Sequence, residues 1–158
     1  MAITVPSLMP VLAGKFDESI VMVAPAAGQS FQPGQLLTIA GGVVSAAASA
    51  ATAFFGIAMG PALDPMFGFL NPVVPVMRLR AGLTFLANLT GVLAQDNLGV
   101  QYGVLVLTNG IWQINQSNTT NLAVEVIEIP QNPGILPAGG IGDTNAWVKG
   151  AFLASAVS

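Results

Sequence analysis

Glycine or proline interrupts this chain every few residues, and the stretches between the interruptions are short, β-branched and often alternating. With 18 glycines and 11 prolines in 158 residues, strands joined by turns are the expected currency, and the expected class is all-β. Residues 20–24 read as a strand ending at Pro25. Residues 36–39 follow the turn signal Gln32-Pro33-Gly34, and Gly41-Gly42 is a two-residue turn into residues 43–45. Residues 54–59 form a further strand, closed by Gly60-Pro61. Residues 46–53 are alanine-rich, but eight residues make a poor independent helix, so a loop or single turn across the end of a barrel is expected.

Residues 60–75 carry Pro61, Pro65, Pro72 and Pro75 together with the apolar Met66, Phe67, Phe69 and Leu70. This connection reads either as a satellite cluster tucked under the domain or as a contact loop, long loops without regular structure being uncommon and often functional. Residues 74–80 predict a half-buried strand, with Val76, Arg78 and Arg80 on one face and Met77 and Leu79 on the other. A strand over 83–89 follows. Residues 102–107 and 111–114 flank Thr108-Asn109-Gly110, the clearest hairpin signal in the chain, because Asn-Gly supplies the positive φ angles a tight turn needs. Residues 122–129 form a strand stopped by Pro130.

The chain is expected to be one domain over 1–158: an N-terminal arm over 1–15, a β domain over 16–130 and a C-terminal extension over 131–158. In the arm, Ile3, Val5, Leu8, Val11 and Leu12 are apolar yet lie outside the strand pattern, while Pro6 and Pro10 hold the segment extended. It reads as an attachment element that adds to a neighbour's sheet edge, or as a short strand of the same subunit. In the extension, Asp143 or Thr144 is placed to cap a short terminal helix over 145–156. Trp147 and Phe152 would be costly to leave in water, so docking onto another subunit or onto the chain's own barrel is expected.

Four basic and seven acidic side chains are all the charge there is, 7% of the residues against about a quarter in ordinary soluble domains. A folded monomer of this mass exposes roughly 7,400 Å², leaving about one charge per 700 Å². Such a surface invites association, and the expectation is an obligate homo-oligomer. Cysteine and histidine are absent, which removes disulfides, thiolate or imidazole metal sites and every triad with an imidazole base. Asp17-Glu18 reads as a solvated turn, and Asp64 and Asp96 as turn formers in Gly/Pro/Asn-rich stretches. Neither Gly139-Gly140-Ile141-Gly142 nor Gly14-Lys15 has the context of a phosphate-binding loop. A net charge of −3, with Arg78 and Arg80 the only close basic pair, gives no footprint for nucleic acid. No enzyme activity, cofactor, metal or small-molecule substrate is expected.

A mean hydropathy of +0.73 raises a membrane alternative, with its best span over 43–63. That span is rich in Ala and Ser, is broken by Gly56, Gly60 and Pro61, and lacks flanking Lys or Arg. Buried strands are the preferred reading. The first ten residues have no basic leader and carry two prolines, unlike a signal peptide, so synthesis in a cytoplasm is expected.

The stretch from Ala26-Ala27-Gly28-Gln29-Ser30-Phe31 through Gln32-Pro33-Gly34-Gln35-Leu36-Leu37, continuing to Phe55-Gly56-Ile57-Ala58, resembles the head decoration (cement, or auxiliary capsid) proteins of tailed bacteriophages. Those small β-rich proteins share a small-Gly-polar run, a Pro-Gly-x-Leu turn, a short hairpin, an Ala/Thr-rich stretch and a Gly-Ile-Ala segment. The resemblance covers residues 20–60; the low charge and the Trp-bearing C-terminal segment depart from it. It implies a β-tulip or small barrel that assembles as a trimer on the outer face of an icosahedral shell, bridges capsomers of the major capsid protein and resists internal DNA pressure. Under that reading Ile3, Val5, Leu8, Val11, Leu12, Trp147 and Phe152 are the candidate capsid or subunit interface. A small membrane protein and another self-assembling coat or tail subunit are the alternatives.

Overall fold

A computed structural model describes residues 10–13, 20–130 and 140–158. The class is all-β: among the described residues eleven strands form a closed barrel and a curled sheet, with two single 3-10 turns. The barrel comprises β2 (Ile20–Pro25), β3 (Leu36–Ala40), β4 (Val43–Ala46), β5 (Gly56–Ala58) and β6 (Val74–Arg78), in the order β2-β4-β3-β5-β6. It closes because β2 pairs antiparallel with β6 on one side and parallel with β4 on the other. Gly41 and Gly42 both take positive φ, 58° and 83°, the conformation a two-residue hairpin turn between β3 and β4 requires.

The sheet adds β1 (Val11–Ala13), β7 (Thr84–Asn88), β8 (Gln101–Val106), β9 (Trp112–Asn115), β10 (Val124–Glu128) and β11 (Trp147–Phe152), ordered β1-β7-β11-β10-β8-β9. It curls until β9 meets the end of β7: Leu89 and Ile114 form a parallel bridge, and the Thr90 amide donates to the Ile114 carbonyl at 2.9 Å.

Two apolar clusters follow from this layout. Inside the barrel, Phe31, Leu37, Val44, Phe55, Val74 and Val76 fill the small interior. The larger cluster lies where the barrel wall meets the concave face of the sheet. Leu36, Ile57 and Met77, aligned across β3, β5 and β6, pack there with Phe85, Trp112 and Phe152. The last three rings sit with centroids 4.8–5.9 Å apart in tilted contacts. Strand β6 is therefore covered on both faces rather than half-buried, Val74 and Val76 inside the barrel and Met77 and Leu79 against the sheet. Arg78 caps the barrel, its guanidinium 4.6 Å from the Phe55 ring centroid.

The expected helix over 145–156 is corrected. Residues 147–152 are strand β11, held between β7 and β10, and only Ala154–Ala156 makes a 3-10 turn. The physical reason is partnership: a twelve-residue helix is marginal, whereas two neighbouring strands satisfy this backbone on both sides while Val148, Gly150 and Phe152 face the core. The segment set apart as an extension thus supplies a central strand. Its end is strapped to the barrel, since the Phe54 amide donates to Ala156, the Ser158 amide to Phe54, and Arg78 Nη2 to the Ser158 carbonyl at 2.9 Å. Residues 43–63, weighed as a membrane span, make β4, a loop and β5; among the described residues no helix is long and apolar enough to cross a membrane.

Candidate functional site

The most exposed apolar side chains of the described chain are on the Pro-rich connection between β5 and β6. Met66 is 80% exposed, Phe67 67% and Phe69 70%. They are held there by a small, fully bonded hairpin. Leu63 and Leu70 form an antiparallel bridge, the Asp64 amide donates to the Phe69 carbonyl at 2.7 Å, and the Gly68 amide donates to the Asp64 carbonyl at 2.8 Å. The Asp64 carboxylate accepts from the amides of Met66 and Phe67 at 2.7 and 3.0 Å, confirming its expected role as a turn former. Gly68, at φ 69°, turns the chain between the two phenylalanines, whose rings stack with centroids 6.2 Å apart.

The hairpin is anchored at its base. The Asn71 amide donates to the Ala62 carbonyl and its side chain to the Pro61 carbonyl, while the Ala62 amide donates to Phe31. Ala62 and Phe31 belong to the barrel core, so the base of the tip is anchored in buried structure. Apolar surface continues onto the adjoining wall. Met22 lies opposite Pro75 in the β2–β6 ladder and the Met59 amide donates to Pro75; Met22 is 60% and Met59 46% exposed. The only ionisable side chain of the hairpin, Asp64, is engaged within the turn. Of the two readings of this connection, the tucked-under cluster is overturned: these side chains face water.

None of the seven residues that the sequence offers as an interface belongs to this connection. Trp147 and Phe152 are buried, Phe152 in the main core and Trp147 on the opposite face of β11, so neither is available to a partner without opening the sheet. Ile3, Val5 and Leu8 lie outside the described residues. Val11 and Leu12 belong to β1, which pairs with β7 of the same chain at Val11–Leu86 and Leu12–Phe85, the same-subunit alternative for this part of the arm. Asp17-Glu18, Lys15 and Gly139 also lie outside the described residues. Asp96 sits exposed in the 3-10 turn Gln95–Asn97, where the side chain that accepts from the turn's backbone, at the Ala94 amide, is that of buried Asn97.

Met66, Phe67 and Phe69 were visible in the sequence as apolar residues among prolines. Met22 and Met59 were not, because apolar residues on both faces of β2 and β5 hide which face looks outward. Among the described residues no three acidic side chains converge. Compared with known proteins, the sequence matches no protein-family model and no curated protein.

Proposed function

We propose that this chain is a non-enzymatic structural protein of a virion, which binds the outer surface of an icosahedral phage capsid as a homotrimer and stabilises the shell by bridging capsomers. The observation that carries this reading is the hydrogen-bonded, outward-facing hairpin of Met66, Phe67 and Phe69 on a chain with very few charges. Burying an exposed side chain of this kind is worth about 1.5–3 kcal/mol, and a pre-ordered turn forfeits little entropy on contact. One such tip binds weakly; three on a trimer engage equivalent capsid sites together and gain by effective concentration. The resemblance over residues 20–60 and the barrel architecture support the same class.

The test is co-sedimentation of the purified, folded protein with mature capsids built from its cognate shell protein. Binding that is lost in a Phe67→Ser/Phe69→Ser variant with unchanged circular dichroism supports the reading. Folded protein that stays in the supernatant defeats it. Electron microscopy of the protein expressed alone separates the coat-subunit alternative, which forms closed shells or tubes where a decoration protein stays as discrete oligomers.

A further inference from the structure

A second feature lies on another side of the barrel. The loop 28–35 between β2 and β3 faces the β8–β9 turn across an open cleft of about 480 Å³, within the size range of small-molecule sites. Leu36 and Ala47, both buried, contribute its apolar lining. Its polar lining consists of Gln29, Ser30, Gln32, Gln35, Thr108 and Asn109, and among the described residues no ionisable side chain lines it.

The walls are fixed before anything binds. Gln35 Nε2 donates to the Asn109 carbonyl at 3.3 Å, Trp112 Nε1 donates to the Gly34 carbonyl at 3.0 Å, and the Val106 amide donates to Ser49 Oγ at 2.8 Å. Gly110 makes the first of these possible: a Cβ there would collide with the Gln35 carboxamide, so the amide lies flat on the turn. Gln29 Oε1 is held by the Ala46 amide at 2.8 Å, which leaves the Gln29 amide hydrogens as donors. Asn109 Oδ1 accepts from the Ile111 amide at 3.1 Å, leaving the Asn109 amide hydrogens as further donors. The hydroxyls of Ser30 and Thr108 both donate and accept.

We propose that this cleft is a binding site for a neutral glycan. A charged ligand would lose its hydration with no counter-charge to meet it, whereas sugar hydroxyls match a lining of amides and hydroxyls that donate and accept in turn. An extended peptide is the competing neutral ligand, but adding a strand needs a free sheet edge; only the ends of β3, β4 and β8 reach the cleft, and the Ala46 and Val106 amides there are already bonded to Gln29 and Ser49. Phe31 is buried, so no open aromatic face is available for stacking, and weak single-site binding is expected.

The experiment is a ¹H–¹⁵N NMR titration of the full chain with a panel of neutral mono- and disaccharides, with a sugar acid and a short uncharged peptide as comparators. Saturable shifts of the amides of Gly28–Gln32 and Thr108–Gly110, and of the side-chain amides of Gln29 and Asn109, are expected with one or more neutral sugars. Thr108→Tyr, at an exposed position, should fill the cleft and abolish those shifts while leaving the rest of the spectrum in place. Shifts with none of the sugars, shifts scattered over the surface, or saturable shifts with the peptide alone would each overturn the proposal.

Discussion

Asp64 shows how this chain uses the few ionisable groups it has. Its carboxylate organises a turn by accepting two amides, and in doing so projects Met66 and Phe67 outward. Asp64→Ala should therefore loosen the hairpin and weaken capsid binding with little change in global stability, as loss of a comparable capping carboxylate costs about 1 kcal/mol; chemical denaturation and co-sedimentation run in parallel would check it. Asp143 plays a similar part at another turn, where the Gly140 amide bonded to it at 2.9 Å holds its carboxyl below the ordinary 3.8. A carboxyl depressed on folding adds stability that is fully present above its ordinary value and lost as pH falls through the folded one. Asp143→Asn should accordingly lower stability slightly at neutral pH, flatten the acid limb of the profile below about pH 4 and leave stability at the acid end nearly unchanged; urea midpoints across that range measure it. Trp147 is a structural residue, 3% exposed. Trp147→Ala should cost about 3–5 kcal/mol, and with Trp112 replaced by Phe its emission should be blue-shifted in the free protein.

At the scale of elements, β11 decides whether the sheet exists. It joins β7 to β10, and without it the β1-β7 pair keeps only the Leu89–Ile114 bridge to β10-β8-β9. Gly150 sits at the tightest point of that junction: an added Cβ would come within 2.7 Å of Val124 Cγ1 and 3.0 Å of the Phe85 ring. Gly150→Val should cost more than the 1–3 kcal/mol typical of overpacking, because both neighbours are core; thermal unfolding of the variant reads it. The same strand shows where sequence reading ran out. Strands β2 to β10 were legible because turn residues bracket short β-branched runs, and the Gly41-Gly42 turn fell where expected. In β11 the pattern Trp-Val-Lys-Gly-Ala-Phe has small residues that fit a helix as well as a strand, and its neighbours are far away in the chain. Burial of Trp147 and Phe152 was anticipated; that the sheet itself provides it was not. The hairpin tip was legible only as one of two readings, since local sequence shows apolar residues but not which way they face.

At the scale of the whole molecule, barrel and sheet share one core, so the apolar hairpin rides on a body with little freedom to yield. Light scattering of the purified protein should give a mass of about 48 kDa, three times 16.1 kDa. A stable 16 kDa species at micromolar concentration would remove the trimer from the proposal. The Phe67→Ser/Phe69→Ser variant separates two kinds of contact: if it keeps that mass while losing capsid binding, the tip serves the shell and the trimer is held by other surface.

The position of β11 also has a consequence in time. Residues 84–88 emerge from the ribosome well before their partners 147–151. At usual elongation rates β7 waits roughly 3–13 s for its central neighbour. The barrel strands are complete by Arg78 and can close during that interval, leaving a nascent chain with a finished half and an open seam. Until β11 arrives, that seam is open to a β11 from a second copy of the chain as well as to its own. Synthesis order thus sets up a race between intramolecular closure and strand exchange, which slower elongation over residues 89–146 would tilt towards exchange.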